Sequence, residues 1–389
     1  MKRNNLSILF VTNNYKPYSG GVVSSIDAFR TQLEKEGHRV TVVTLDFTGT
    51  PETDPSVVRL WSSLRFIYRG NPCAIPLFLS YTMRAVFDRY KPDIVHIHHP
   101  FLLGYAALTI AKKRSIPVVF TYHSQYRHYV RHYIPYFFWM FRWLVDRRVA
   151  HVVNAVDLLI VPTQSIKKQL ETLYANIHIK VIPTGIASLF VHKILYLKKT
   201  KKEFVDLLTV SRFVSEKNLF WLLDMVSQLP DNYRLTLVGY GVLEQSLKIY
   251  AYEVLKLSTE RVLFVIKPSS KEQLASYYQN ADLFVFASHT ETQAIVLAES
   301  MAAGTPIIAL NAFGACDIIV PSENGFLVES EQEMRGHIRM IMDDNNRELY
   351  QKLSQGAFTT GQSYHMDVIV QQLLEAYDHC IKNKRNEDA

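Results

Sequence analysis

The chain has 389 residues, of which 48% are hydrophobic and 20% are charged. This length and composition exclude a disordered protein and allow two domains with full cores. The three cysteines, Cys73, Cys316 and Cys380, are odd in number and far apart. They exclude a disulfide framework and a cysteine-based zinc site, and they favour a reducing compartment.

The sequence indicates neither a signal peptide nor a spanning helix. The apolar run near the N-terminus is brief and predicts a first β-strand. No apolar stretch approaches the length of about 18 residues that a membrane-spanning helix needs. We therefore expect a cytoplasmic protein, with any membrane contact made from one side.

Charge is unevenly distributed between the two halves of the chain. Residues 1–185 contain 23 Lys and Arg against 11 Asp and Glu, a net charge of +12. Residues 186–389 contain 20 Lys and Arg against 25 Asp and Glu, a net charge of −5. The basic half predicts an anionic partner, for which nucleic acid and an anionic membrane surface are both candidates.

Short runs rich in valine and isoleucine alternate with helical segments in the first half. The predicted strands are Ser7–Val11, Val40–Thr44, Ile94–His96, Val118–Thr121, Leu158–Val161 and Lys180–Ile182. The predicted helices are Val23–Glu36, Leu77–Arg89, Gly104–Lys113, Tyr133–Ala150 and Ser165–Leu173. This alternation is typical of a parallel sheet covered on both faces.

The charged stretch Lys198–Lys202 predicts a solvated linker, after which the alternation restarts. The second set of predicted strands is Phe204–Val210, Leu235–Val238, Val262–Val265, Leu283–Phe286, Pro306–Ala309 and Phe326–Val328. The intervening helices are predicted to begin near Asn218, Leu243, Lys271, Gln293 and Gln332, and a last helix covers Asp367–Lys382. The predicted fold is α/β, with two doubly wound domains facing each other across a cleft at the carboxyl ends of their strands.

Gly20 and Gly21 follow the first strand and lead into a helix. They form either a flexible turn or a loop whose N–H groups approach a phosphate closely, because glycine has no side chain. The loop lacks the Gly-x-Gly-x-x-Gly pattern, which disfavours a nicotinamide dehydrogenase.

His123 ends another predicted strand and would face the same cleft, where a histidine is either structural or catalytic.

Arg212 and Lys217 follow the first strand of the second half. Two loop cations are either solvated or, at a strand's carboxyl end, directed at the cleft. Fixed positive charge in that position stabilises a diphosphate leaving group as negative charge builds on it.

Glu291 and Glu299 flank the start of the helix that is predicted from Gln293. At 1.5 Å rise per residue the two carboxylates lie roughly 10 Å apart, a reach that suits two hydroxyl-bearing parts of one ligand. The N–H groups at the helix start can bind an anion between them. That start consists of Gln293, Ala294, Ile295 and Val296. A nucleotide-sugar fits this arrangement.

The segment from His289 to Ile308 resembles the donor-site motif of retaining glycosyltransferases of family 4, which have the GT-B fold. The resemblance covers essentially the whole chain. It implies that Glu291 contacts the donor hexose and Glu299 the ribose hydroxyls. It also implies that Arg212 and Lys217 stabilise the departing diphosphate.

The same resemblance assigns Gly20 and Gly21 to the loop near the diphosphate and the acceptor, and His123 to the donor sugar. It predicts an acceptor- and membrane-facing domain at residues 1–190 and a donor-binding domain at residues 191–366. Residues 367–389 are predicted to pack back on the first domain.

We expect no cofactor and no metal, the nucleotide-sugar being a substrate. Alternation puts His96 and His98 on one face of a strand, so a metal site is conceivable. However, the family has a similar histidine-rich strand end without a metal, and this chain has no Asp-x-Asp motif. Arg212, Lys217 and the helix N-terminus would neutralise the diphosphate instead.

The segment from Gln125 to Arg148 combines five arginines with nine aromatic residues. One interpretation is that much of it is core; another is an interfacial segment that meets anionic lipid. Nucleic-acid stacking is a third interpretation, which nothing else in the chain supports. The membrane interpretation assigns contacts to Arg127, Arg131, Trp139, Arg142, Trp143, Arg147 and Arg148.

Four segments look most like those of bacterial diacylglycerol glucosyltransferases: Gly21–Ser25, His98–Gly104, Thr121–His123 and His289–Gln293. This resemblance predicts an enzyme, peripheral on the inner face of the cell membrane, that moves glucose from UDP-glucose to a membrane lipid such as diacylglycerol. The expected partners are the nucleotide-sugar, the lipid acceptor and an anionic membrane surface, with no nucleic acid.

Two alternatives remain: a soluble or polysaccharide acceptor, and a non-catalytic nucleotide-sugar-binding partner protein. Departures from the family pattern at Gly239–Val242, Val265–Pro268 and Asp317 leave the nucleotide base and the exact sugar open.

Overall fold

The computed structural model describes residues 5–18, 20–49, 51–68, 71–123, 138–191, 203–289 and 291–387, with the backbone alone at residues 68, 71–72 and 138–141. The chain divides into two compact units, Met1–Gly185 with Met366–Ala389, and Ile186–His365. Each unit is built on a parallel sheet, which confirms the predicted α/β fold class with two Rossmann-like domains. The predicted linker Lys198–Lys202 lies outside the described residues.

The strands are β1 (Ser7–Val11), β2 (Arg39–Leu45), β3 (Val57–Leu60), β4 (Ser62–Tyr68), β5 (Asn71–Pro76), β6 (Ile94–Ile97), β7 (Val118–Thr121), β8 (Leu158–Val161), β9 (Ile179–Val181), β10 (Val205–Arg212), β11 (Tyr233–Tyr240), β12 (Val262–Ile266), β13 (Leu283–Phe286), β14 (Ile307–Leu310) and β15 (Gly325–Val328). The helices are α1 (Gly21–Lys35), α2 (Leu79–Tyr90), α3 (Leu103–Lys113), α4 (Phe138–Ala155), α5 (Gln164–Leu173), α6 (Leu219–Ser227), α7 (Glu244–Ile249), α8 (Lys271–Asn280), α9 (Ile295–Ala302), α10 (Glu331–Met342), α11 (Arg347–Ser363) and α12 (Met366–Glu387).

The sheet of the first unit has the strand order β3-β2-β1-β6-β7-β8-β9, and its paired strands are parallel. Along β1, Leu9 and Val11 join one apolar cluster, while Ile8 and Phe10 join another. Successive side chains of a strand point to opposite faces, so these clusters are the cores on the two faces of the sheet. After Ser7, the continuous apolar run of β1 follows from burial on both sides.

Helix α12 returns to the first unit, although it follows the second unit in sequence. Ile369, Leu373 and Tyr377 are buried in the same cluster as Ile8 and Phe10 of β1. Full burial of an apolar side chain of this size contributes about 1.5–3 kcal/mol, so several together hold the helix firmly.

Three strands between β2 and α2 were not predicted. β3 pairs in parallel with β2 and extends the sheet, whereas β4 and β5 form a separate antiparallel pair. Leu64, Phe66 and Ile67 of β4 are 53%, 44% and 78% exposed. The sequence prediction relied on buried apolar runs, and this exposed hairpin lacks them.

The sheet of the second unit has the order β12-β11-β10-β13-β14-β15, again with parallel pairing throughout. Helix α11 was also missed, because Gly356 and Gly361 weaken its helical pattern. Both glycines are required by packing: a Cβ on Gly361 would lie 2.3 Å from the backbone nitrogen of Ala302. A Cβ on Gly356 would lie 2.0 Å from the carbonyl oxygen of Glu323.

Candidate active site

The loops that follow β10 and β13 meet at the carboxyl edge of the second sheet, where open α/β folds bind ligands. Hydrogen bonds join the two loops. The carbonyl oxygen of Glu216, in the loop after β10, accepts from the backbone N–H of His289 and from the hydroxyl of Ser288, both at 3.3 Å. Asn218 Nδ2 also lies 3.1 Å from His289 Nε2. These bonds fix the two loops to each other.

Lys217 and Glu291 are brought together by this loop contact. Lys217 Nζ donates to Glu291 Oε1 in an ion pair, and the two side chains are 11% and 15% exposed. Lys217 ends a 3₁₀ turn, Ser215–Lys217, and Asn218 turns the chain into α6 with φ at +54°. Asparagine tolerates this left-handed conformation better than most residues.

Arg212 has a different environment from Lys217. Its guanidinium lies 2.7 Å from the carboxylate of Glu216, and these side chains are 61% and 44% exposed. Arg212 therefore lies at the end of β10 as a largely solvated cation, and its ion pair is with Glu216 of the same loop.

Gly314, which the sequence analysis did not identify, packs against Glu291. It has φ of +84°, and a Cβ built on it would lie 2.6 Å from Cβ of Glu291. It lies three residues before Asp317, which departs from the family pattern. The glycine itself was the available signal, because a backbone that packs against a functional side chain needs a residue without a Cβ.

Helix α9 begins at Ile295, two residues later than predicted, and the residues assigned to nucleotide-sugar binding surround its N-terminus. Ala294 is buried, whereas Ile295, Val296 and Gln293 are partly exposed. Thr163, Ser270 and Ser330 cap α5, α8 and α10 by accepting a hydrogen bond from a backbone N–H, whereas α1, α3 and α6 have no side-chain cap. Ala294 provides no such cap for α9. Part of the first turn is bonded within the backbone, since the N–H of Ile295 donates to the carbonyl of Gln293 and that of Leu297 to the carbonyl of Ala294, both at 2.9 Å. The positive end of the helix dipole still favours an anionic ligand at this N-terminus.

Glu299 lies on α9 and accepts a hydrogen bond of 2.7 Å from the hydroxyl of the fully buried Tyr278. Burial raises the pKa of Glu299 to about 7, and the Tyr278 hydrogen bond opposes part of that rise. Thr305 in turn holds the carbonyl of Tyr278 at 2.7 Å. A carboxylate placed in this way can accept two hydroxyl donors of a ligand once it is ionised.

In the first unit, Gly20 and Gly21 lie at the start of α1. Gly20 is the N-cap in extended conformation, and a Cβ on it would lie 3.2 Å from the ring of Tyr18. A Cβ on Gly21 would meet nothing within 4 Å among the described atoms, so packing gives no reason for glycine there. A close ligand would give such a reason.

His123 follows β7 and is partly exposed. Its Nε2 lies 2.9 Å from Nδ1 of His98, and burial lowers the pKa of His123 to about 3. His96 uses both ring nitrogens, Nδ1 with the hydroxyl of Tyr377 at 2.5 Å and Nε2 with that of Thr121 at 2.6 Å. Among the described residues no group of three or more His, Cys, Asp or Glu side chains is arranged to hold a metal.

Of the residues assigned to membrane contact, the structure describes the side chains of Arg142, Trp143, Arg147 and Arg148. Arg127 and Arg131 lie outside the described residues, and Trp139 is described only by its backbone in α4. Arg142 pairs with Asp146 at 3.7 Å. The guanidinium of Arg147 lies over the ring of Trp143 at 5.4 Å, and that of Arg148 over Tyr105 at 4.1 Å.

Trp143 is 57% exposed on α4. In the first unit, Ile67 on β4 and Phe78 before α2 are each 78% exposed. None of the described helices combines the length and apolarity that crossing a membrane demands.

Two parallel-sheet units, with cations, carboxylates and an uncapped helix start at the strand ends of the second, define a glycosyltransferase of the GT-B class. Sucrose-phosphate synthase from Thermosynechococcus elongatus has this fold, with a TM-score of 0.74 and 20% identity over 97% of this chain and 99% of that one.

The family model for Glycosyltransferase Family 4 matches residues 19–188, and that for Glycosyl transferases group 1 matches residues 196–360. The alpha-monoglucosyldiacylglycerol synthase of Streptococcus pneumoniae is 30% identical over 88% of this chain and 80% of its own length. The synthase of the same name from Acholeplasma laidlawii is 29% identical over 93% of this chain and 94% of its own length. The chain therefore belongs to glycosyltransferase family 4 and is an enzyme of that type.

Proposed function

We propose that this enzyme transfers glucose from UDP-glucose to a hydroxyl of diacylglycerol, with retention of the α configuration, at the inner face of the cell membrane. The observation that carries the proposal is the similarity, over most of the chain, to two synthases whose name specifies an α-linked monoglucosyl diacylglycerol. Because UDP-glucose also carries its glucose in α linkage, an α-linked product corresponds to retention.

The donor-site geometry supports this chemistry. Lys217 is partly buried, so its charge would act on the diphosphate with little screening by water. Together with the positive end of the α9 dipole, it would stabilise the diphosphate as the bond to the sugar breaks. Glu291 would accept hydrogen bonds from the hexose and Glu299 from the ribose.

Transfer then needs no base from the protein. The acceptor hydroxyl attacks the anomeric carbon from the face that the diphosphate leaves, forming the new C–O bond. The departing phosphate oxygen receives the electrons of the broken bond and takes the proton of the hydroxyl. UDP and the glucosylated lipid are the products.

The membrane part of the proposal is supported by charge and by exposed apolar side chains. The net charge of +12 in residues 1–185 would attract an anionic surface. Trp143, beside Arg147 and Arg148 on α4, would enter the interfacial region.

The test is transfer of labelled glucose from UDP-glucose to diacylglycerol in vesicles that contain an anionic lipid. We expect one lipid product with an α-glucosidic bond, and its absence from the Glu291→Gln variant. GDP-, ADP- and UDP-linked hexoses, offered singly, identify the base and the sugar. Transfer only to a soluble or polysaccharide acceptor would replace the lipid assignment. Nucleotide binding with neither transfer nor slow hydrolysis of any donor would identify a non-catalytic binding protein.

A further inference from the structure

Three histidine rings form a stack at the carboxyl ends of β6 and β7. The rings of His96 and His98 lie 4.3 Å apart with an interplanar angle of 25°, and those of His98 and His123 lie 5.2 Å apart at 26°. Phe10 packs edgewise against His96 and His98 from β1. His98, in the middle, is fully buried, whereas His123, at the end, is partly exposed.

One hydrogen bond joins His98 to His123, between Nδ1 of the first and Nε2 of the second, at 2.9 Å. Burial lowers the pKa of His123 to about 3 and that of His98 well below its usual value. Both rings are therefore neutral near pH 7, and each has one N–H and one bare nitrogen. One of the two rings must donate and the other must accept.

The second nitrogen of His98 indicates which ring donates. His98 Nε2 is buried and has no hydrogen-bond partner in the described part of the chain. A proton on Nε2 would leave a buried N–H without an acceptor, which is rarer in folded proteins than an unfilled acceptor. The favoured arrangement places the proton of His98 on Nδ1, from which it is donated to His123 Nε2.

The neighbouring histidines cannot take over this bond. Both ring nitrogens of His96 are bonded to Tyr377 and Thr121. Nδ1 of His99 lies 3.1 Å from the hydroxyl of Thr12, which itself donates to the carbonyl of Asn14.

We propose that His98 is a positioning residue that holds His123 in the tautomer with its proton on Nδ1. With Nε2 occupied, His123 offers a ligand a hydrogen-bond donor and no basic nitrogen. This rests on the proposed function and on the family resemblance, which assigns His123 to the donor sugar. His123 then donates to a hexose oxygen and takes no proton from the acceptor, in agreement with proton transfer to the leaving phosphate.

Two matched substitutions separate this role from simple packing. His98→Asn keeps an N–H near the position of Nδ1, whereas His98→Gln places its amide near Nε2 and leaves His123 without the bond. We expect kcat/KM for UDP-glucose to stay within about threefold of wild type in His98→Asn and to fall roughly tenfold to a hundredfold in His98→Gln. Melting temperatures of both variants report whether the fold is intact. Equal losses in two folded variants would overturn the proposal.

A direct measurement of the tautomer does not depend on turnover. In protein labelled with ¹⁵N-histidine, two-bond proton–nitrogen correlations report which ring nitrogen carries the proton, and His123→Gln assigns the signal of residue 123 by its loss. We expect an Nδ1–H tautomer for His123 in the wild type and a shift towards Nε2–H in His98→Gln. An Nε2–H tautomer in the wild type would overturn the assignment even in an active enzyme. Absence of glucose transfer with the expected tautomer would instead contradict the proposed function.

Discussion

Lys217 and Glu291, 74 positions apart in the chain, form an ion pair in which each is the counter-ion of the other. In the proposed reaction they serve different parts of the donor, the diphosphate and the hexose. Their pairing lets both remain largely buried, because an unpaired charge in that position would be costly. Donor binding must therefore exchange one set of charge-assisted contacts for another.

The first prediction concerns this pair. Lys217→Met and Glu291→Gln should each lower turnover by about 10²–10³, the usual effect of losing one electrostatic contact in a site that excludes water. The Lys217→Met protein should also lose about 1–3 kcal/mol in its free energy of unfolding, because Glu291 keeps its charge without its partner. The double variant should be more stable than Lys217→Met while remaining inactive. Denaturant unfolding and steady-state kinetics measure both effects, and wild-type turnover in either single variant would remove that residue from the site.

The second prediction concerns Gly314, whose backbone packs on Glu291. Gly314→Ala introduces a Cβ 2.6 Å from Cβ of Glu291 at a φ of +84°. Strain and displacement of the carboxylate should reduce turnover roughly tenfold to a hundredfold. Gly336→Ala is the matched control, since a Cβ there meets nothing within 4 Å and its φ is not positive. An active Gly314→Ala enzyme would show that the position of Glu291 is not critical.

The third prediction is a pH dependence of nucleotide binding set by Glu299. Its pKa of about 7 means that the carboxylate, which we propose binds the ribose hydroxyls, is lost as the pH falls through 7. The affinity for UDP should therefore weaken below pH 7, approaching tenfold per pH unit. Calorimetry at pH 6, 7 and 8 measures this, and Glu299→Gln should remove that part of the slope. Titration of the nucleotide's own phosphate is common to both proteins, so equal slopes would contradict the assignment.

Stability should change with pH in the opposite direction. Because the folded protein raises the pKa of Glu299 above its ordinary value of 4.5, the protonated side chain is the form that burial favours. Its contribution to stability is complete below pH 4.5 and is lost as the pH rises through about 7. UDP should therefore raise the melting temperature more at pH 8 than at pH 6.

The sequence predicted the parts of the fold that depend on continuous apolar strands. The strand Leu283–Phe286 was predicted with the same ends that the structure has, because four buried apolar residues leave little choice. The hairpin β4–β5 was missed because Leu64, Phe66 and Ile67 of β4 are exposed, so it lacks the buried apolar run on which the prediction relied. Helix α11 was missed because its glycines serve packing against α9 and Glu323, and a long-range contact of this kind leaves no local pattern.

The candidate site was less accessible from sequence. Motif resemblance identified Lys217 and Glu291 separately, but their ion pair depends on how the loops after β10 and β13 meet. Likewise, the exposed state of Arg212 and the partnership of Tyr278 with Glu299 follow from tertiary structure alone. In the proposed arrangement, the ring nitrogen of His123 that carries the proton is set by the buried His98, 25 positions away.

The fourth prediction is that transfer does not need a divalent metal. In the proposed reaction, Lys217 and the N-terminus of α9 would provide the positive charge that a metal supplies in other enzymes. Initial rates should be unchanged within about twofold by EDTA, and Lys217→Met should not be rescued by added Mg²⁺ or Mn²⁺. Complete loss with EDTA, reversed by a metal, would contradict this prediction and direct attention to the histidines at the end of β6.

The last prediction is reversible docking of the first unit on anionic membranes. Arg147 lies over the exposed Trp143 of α4, and the next residue, Arg148, is exposed beside Tyr105. Each cation near an anionic surface contributes about 1 kcal/mol, screened by salt. Replacing both by Glu should lower vesicle binding by at least about tenfold, and adding Arg127→Glu and Arg131→Glu should release the protein further. Arg347→Glu with Lys352→Glu, at exposed positions of the second unit, makes the same change in net charge and is the control. Co-sedimentation with vesicles of increasing anionic fraction, at low and high salt, measures binding, while UDP affinity confirms an intact donor site. Binding that ignores lipid charge, or that falls equally in the control, would contradict docking through α4 and favour a soluble acceptor.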